Sequence, residues 1–422
     1  MAKRGNKEND LILFEGTILS YAVHANNARS GIFVETFEVF KQFLSKNVNI
    51  LVMCDVLMYF SMKKTLRRYF ADKDIDVMYY VRWNQSLGGN HPLDIKIRHV
   101  IKCMGFAILQ VIMLAINRMN GKAKKAHSAK VFFSTGFVPP KSIGQNKAIK
   151  KYICIQDAIP MLYGEYFPQM TDSYFWYRLL IEQLNPQDHY FAISQATKDD
   201  FCRLIDRLSP EQITVAYLGK NDRYRYIEQF KARITKRYGI RKSDKYFFSL
   251  CTIEPRKNLI RSVKSFLQFI RQEKITDLYY VVGGGKWKSF YDQLLKEMEQ
   301  DDLFDQYVKL IGYVDDEDLP YLYSHAMCFV FTSQYEGFGL PVLEAMSCGC
   351  PVIASTSSSL PEVVGDAGVM VAWNSAEEHI DAYKRIYADC GLRDRLHEKG
   401  LERAKLFSWE KCAEVMLGEM LK

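Results

Sequence analysis

The feature that most constrains this chain is an alternation that it runs through twice. Short apolar runs of strand length take turns with amphipathic runs of helix length. In the first half the strand-like runs are "LILFEG", "VNILVMCD", "DIDVMYYV", "KVFFST", "KYICIQ", "YFAIS" and "ITVAYLG". In the second they are "YFFSLC", "DLYYVVGGG", "VKLIGYV", "MCFVFTS", "PVIAS" and "GVMVAW". Such alternation is the signature of parallel α/β units. Between the two sets lies "GKNDRYRYIEQFKARITKRYGIRKSDK", polar and without a strand pattern, the best candidate for a domain junction. The expected fold class is therefore α/β, with two Rossmann-like domains facing across a cleft. Residues 1–219 form the first domain, 220–245 the linker region and 246–400 the second domain. Residues 401–422 are expected as C-terminal helices packing back on the first domain, because the end of the chain has helical periodicity only.

Length agrees with this division: 422 residues are too many for one ordinary core at about 100 to 200 residues per domain. Ten cysteines are scattered without a CxxC pair, mostly inside apolar runs, which reads as buried thiols in a reducing compartment. The opening "MAKRGNKEND" is charged and no apolar h-region follows, so a cleavable signal peptide is not expected and a cytoplasmic location is.

Charge is unevenly spread. The first 210 residues carry 28 basic and 18 acidic side chains, the remainder 29 and 31. No acid occurs between Asp94 and Asp157, a stretch that includes Arg118, Lys122, Lys124, Lys125, Lys130 and Lys147. It also contains "CMGFAILQVIMLAI", Cys103–Ile116, short of the roughly twenty apolar residues that span a bilayer. Two readings stand: a buried helix with a solvated basic flank, or a peripheral surface for anionic lipid on the inner face of the plasma membrane. No nucleic-acid motif accompanies the positive charge, so nucleic acid is not an expected partner. Nothing in the sequence fixes an oligomeric state.

The chemistry concentrates in "SQYEGFGLPVLEAMSCGCPVIAS", Ser333–Ser355. It sets Glu336 and Glu344 around Gly337-Phe338-Gly339, between a strand and a helix expected to start near Leu340 or Pro341, where open parallel sheets bind ligands. Pro341 suits a first helical turn, and the amides there suit an anion. Glu344, placed in the first helical turn, has a plain reading as helix-end stabilisation. "EPRKN", Glu254–Asn258, follows the strand "YFFSLC", so Arg256 and Lys257 are expected to project into the same cleft.

The string "YEGFGLPVLEAMSCGCPVIAS…SSLPEVVGDAGVMV" closely resembles retaining glycosyltransferase family 4, whose E-x7-E motif is matched by Glu336 and Glu344. The resemblance runs through most of the second half, including "CTIEPRKN", "VVGGGKW" and "IGYVDDEDLPYLYSHA", and is thinner in the first. It implies a GT-B fold, a nucleotide-sugar donor held by the second domain, an acceptor glycan held by the first, and neither a catalytic metal nor another cofactor. It places Glu344 on the donor ribose, Glu336 at the transferred sugar, and the amides of Phe338, Gly339 and Leu340 on sugar or phosphate oxygens. Arg256 and Lys257 would neutralise the diphosphate, the more so because Cys251 stands where some members have arginine.

Other positions carry two readings each. Gly284, in "VVGGGKW", lines the nucleotide pocket or makes a tight turn. Tyr313 stacks on the base or is an exposed aromatic. Gly31 belongs to a donor-proximal loop flanked by Arg29 and Ser30, or simply begins a helix that Ser30 caps. "CIQDAIP" looks like the family's HD-x-x-P loop with Gln156 in place of histidine, which leaves Asp157 as the polar residue to test there; His24 is more simply structural. The function implied is retaining transfer of a hexose or deoxyhexose, first mannose from GDP-mannose, to a glycan, lipid-linked in surface polysaccharide biosynthesis. The alternatives are a dTDP-rhamnose or UDP-sugar donor, or a nucleotide-sugar-binding module without turnover.

Overall fold

The computed structural model describes residues 11–23, 31–80, 108–109, 111–166, 172–285 and 288–422. His24, Arg29 and Ser30 lie outside the described residues, as do Cys103–Ala107 and Gln110 of the apolar segment. Within the described residues the strand-like runs form two sheets, all of whose pairings are parallel. The first contains β1 (Ile12–Glu15), β2 (Ile50–Asp55), β3 (Val77–Tyr80), β4 (Val131–Ser134), β5 (Lys150–Ile155), β6 (His189–Ala192) and β7 (Ile213–Val215) in the order β3-β2-β1-β4-β5-β6-β7. The second contains β8 (Lys245–Leu250), β9 (Leu278–Gly283), β10 (Val308–Gly312), β11 (Cys328–Phe331), β12 (Val352–Ser355) and β13 (Val369–Val371) in the order β10-β9-β8-β11-β12-β13.

The strands are apolar throughout because helices cover both faces of each sheet. Ile12, Leu13 and Phe14 of β1 are fully buried, as are Val352, Ile353 and Ala354 of β12. In each sheet the winding reverses beside the first strand, where β1 pairs with β2 and β4, and β8 with β9 and β11. Crevices at the carboxyl ends of strands open at such reversals.

The charge-rich segment after β7 is not a solvated tether. It holds one short helix, Ala232–Tyr238, and buries Tyr224, Ile234, Tyr238 and Ile240. Helix Cys390–Ala404 runs through the expected division at residue 400. The chain then crosses back: Ser408 accepts the Lys411 amide at 3.1 Å and caps helix Trp409–Met420, which packs on helix Gly31–Ser45. Lys46 Nζ reaches Glu414 at 2.8 Å and the Tyr152 hydroxyl donates to the Glu419 carbonyl at 3.2 Å. The outgoing and returning segments touch, since a Cβ on Gly219 would lie 2.1 Å from the Trp409 nitrogen. No disulfide joins the described cysteines.

Candidate active site

A cleft of about 990 Å³ opens between the two halves. It is bordered by the loop after β11, the loops after β8, β9 and β10, the start of helix Gly31–Ser45, and the loop after β5. Gly339 there has φ 104°, a left-handed conformation that favours glycine, and helix Leu340–Ser347 starts at the next residue. Gly337 is bare for another reason: its Cβ would come within 2.8 Å of the Gln156 carbonyl oxygen and 2.9 Å of Asp157 Cβ. The loops from the two halves therefore meet through a missing side chain.

Glu336 is fixed by its backbone and its carboxylate alike. Its amide donates to Ser358 Oγ at 2.7 Å, and its carbonyl accepts from Ser358 Oγ and Ser359 Oγ, both at 2.9 Å. Lys257 Nζ lies 2.7 and 2.9 Å from the two carboxylate oxygens, and Arg256 Nη1 lies 3.3 Å from Oε2. Burial pushes this carboxyl up, but Lys257 and Arg256 more than offset it and hold it below its usual value. Phe338, Gly339 and Leu340 line the cleft beside it. The Val342 amide is already taken by the Gly339 carbonyl at 3.0 Å, so it is not an open donor.

Arg256 does not project into the cleft as expected. It is buried, donating to the Tyr335 carbonyl and to Glu254, both at 2.5 Å. Five residues after the strand end, the short helical turn Pro255–Lys257 sends Lys257 to the cleft and Arg256 behind the carboxylate.

Glu344 lines the cleft from the fifth position of its helix, one past the first turn, so helix-end stabilisation does not account for it. Burial pushes its carboxyl up to about 8, opposed by hydrogen bonds from Tyr224 and Tyr323, the latter hydroxyl at 3.5 Å. Gly284 makes the tight turn and also borders the cleft. At φ 130° its Cβ would lie 2.0 Å from the Cys251 carbonyl oxygen. Tyr313 borders the cleft and is 56% exposed. Gly31 also lines it, with nothing within 4 Å of a would-be Cβ.

Asp157 reaches the cleft from the loop after β5; its Oδ1 accepts the Ile159 amide at 2.9 Å, and burial raises its carboxyl. The Cys251 thiol, pushed up to about 12 by burial, remains neutral. Among the described residues no group of three His, Cys, Asp or Glu side chains is placed to hold a metal ion.

Sequence reasoning missed Tyr224 and the Arg223–Asp316 ion pair at 3.3 Å, all three on the cleft wall. Tyr224 sits in a segment whose charge hid it. It also missed contacts that close the halves on each other: Tyr335 hydroxyl to Asp200 at 2.6 Å, and Glu362 accepting the Gln195 and Ala196 amides at 2.8 and 2.9 Å.

Two facing Rossmann-like sheets with a cleft between them form the GT-B fold. The solved structure of Anabaena HepE in complex with UDP and glucose superposes with TM-score 0.65 at 15% identity, covering 98% of this chain and 99% of that one. WaaG, a glycosyltransferase involved in lipopolysaccharide biosynthesis, gives 0.59 at 14% identity, covering 92% and 96%. More particularly, residues 230–403 match the sequence model of the family Glycosyl transferases group 1. Over 251 residues the chain is 34% identical to O-antigen chain mannosyltransferase B of Escherichia coli, covering 59% of this chain and 64% of that protein. It is also 27% identical over 274 residues to the serotype-specific mannosyltransferase WbdA of Escherichia coli, covering 63% of this chain and 33% of that one. The matched part thus spans less than two thirds of these relatives.

Proposed function

We propose that this chain is a retaining mannosyltransferase that moves mannose from GDP-mannose to a lipid-linked glycan during O-antigen or similar surface polysaccharide synthesis. One observation carries the reading of the site: Glu336, gripped by Lys257 and backed by Arg256, stands at the mouth of a helix N-terminus in a cleft that both halves line. The choice of mannose follows the similarity to O-antigen mannosyltransferases. Carboxylates accept bonds from sugar hydroxyls, while Lys257 and the amides at Gly339 and Leu340 suit a diphosphate. Glu344 would take the ribose and Glu336 would orient the sugar. The leaving diphosphate oxygen would accept the proton of the acceptor hydroxyl on the same face, so the protein contributes position and electrostatics. No resident metal is assigned to this chemistry.

The same proposal includes a membrane-facing side. Val111, Leu114 and Met119, on the helical stretch 111–119, are 66%, 53% and 85% exposed, Arg118 and Lys124 are exposed near them in sequence, and Lys130 and Lys147 are exposed further along. No helix among the described residues is long and apolar enough to cross a membrane. Such a surface would dock a cytoplasmic enzyme on the leaflet that holds a lipid-linked acceptor.

The test combines donor choice with catalysis. A thermal-shift screen of GDP, UDP, dTDP, CMP and their sugars is expected to favour GDP-mannose, and Glu336→Ala to abolish transfer with the unfolding midpoint held within a few degrees. Preferential stabilisation by another base would overturn the donor assignment, and near-normal turnover by Glu336→Ala would overturn the role of that carboxylate.

A further inference from the structure

Helix Gly31–Ser45 carries a fully buried carboxyl, Glu35, that the chemistry above leaves unused. Its Oε2 accepts from Gln156 Nε2 at 2.5 Å, and the same nitrogen donates to the Thr135 carbonyl at 2.9 Å. Carbonyl and carboxylate only accept, so both amide hydrogens of Gln156 are spent inward and its orientation is fixed. Gln156 lines the cleft, and among the described residues no donor reaches its Oε1. Besides Gln156, the side-chain hydrogen-bond partner of the Glu35 carboxyl is the Cys154 thiol, a weak donor. A buried acid so weakly satisfied is costly where packing is the only need, since glutamine or methionine would fill the space more cheaply.

We propose that Glu35 is a positioning residue: with the Thr135 carbonyl it holds the Gln156 carboxamide oxygen-outward, so that this wall of the cleft accepts a hydrogen bond from a hydroxyl of the sugar beside Glu336. The loop geometry supports the placement, because the Gln156 backbone abuts Gly337, next to Glu336. The sugar contact rests on the glycosyl-transfer reading; the orientation of Gln156 does not. Burial pushes Glu35 up to about 7. Facing it are the Cys154 thiol of β5 and the Cys412 thiol of the C-terminal helix, both raised by burial and neutral. Above its pKa, Glu35 is an acceptor only and the lock is charge-assisted. Below it, the carboxyl gains a hydrogen that can turn toward Gln156 Oε1 and loosen the orientation.

Two measurements decide this. In 15N-glutamine-labelled protein, with Gln156→Met used for assignment, the Gln156 side-chain amide is expected to be protected from exchange and to shift with a midpoint near pH 7. The shift should vanish in the volume-conserving Glu35→Gln. A fast-exchanging or pH-insensitive amide overturns the orientation, whatever the enzyme transfers. In calorimetry, Glu35→Gln and Gln156→Met should each weaken GDP-mannose about fivefold and leave GDP unchanged. Equal effects on both ligands, or none on either, overturn the sugar contact. Absence of GDP-mannose binding by the unaltered protein counts instead against the donor assignment, and the amide signal still decides the positioning role.

Discussion

At the scale of single residues, the two glutamates of the site differ in charge as well as in place. Glu336 has two cations against it and is held ionised; whatever stability that lends is present above the ordinary carboxyl range and is lost as pH falls through its depressed value. Glu344 is the reverse. Raised from 4.5 to about 8, it is most at ease protonated, and its contribution to stability declines as pH climbs between those values. A ribose donating hydroxyls to it would favour the ionised form. Nucleotide binding near pH 7 should therefore release protons. Calorimetry in buffers of different ionisation enthalpy checks this: binding heats that do not vary with the buffer would remove Glu344 from the ribose. The spacing of this pair was legible in the sequence, since a strand–loop–helix turn places both acids locally. Glu35 was not legible, because its partner Gln156 is 121 residues away and a glutamate in an amphipathic helix looks solvated.

At the scale of elements, parallel strands were the easiest part to read. Covered on both faces, they show as apolar runs, and "VNILVMCD" or "MCFVFTS" leaves little room for another assignment. Loops were harder, because their conformation follows from what they touch. Gly284 shows this: its turn is enforced by the Cys251 carbonyl, on the neighbouring strand's loop. Gly284→Ala is expected to destabilise the fold by about 2 kcal/mol or more and to weaken nucleotide binding. Unchanged urea midpoint and affinity would show that the loop yields freely. The helical stretch 111–119 is an element of another kind, apolar yet outward-facing. Flotation with liposomes should recover the protein with anionic vesicles and less with neutral ones, and Val111→Glu with Leu114→Glu should reduce recovery. Equal recovery with both vesicle types would leave the exposed face without a lipid role.

At the scale of the molecule, two half-chains of similar architecture are joined twice, once on the way out after β7 and once on the way back before helix Trp409–Met420. The general architecture was legible from the repeated alternation. The closing contacts of Glu362 and Tyr335 were not, because they join residues 135 to 167 positions apart through single polar groups. Gly219 sits where the two crossings touch, and its Cβ would strike backbone. Gly219→Ala should speed hydrogen exchange over Trp409–Met420 while sparing the second sheet; uniform exchange rates would show that the contact bears no strain. Two covalent links that meet at one point act as a door pinned at a corner. A swing of the halves about Gly219 would disturb these two crossings less than a slide of one half past the other. Any such swing would change the width of the cleft far from the pin more than near it.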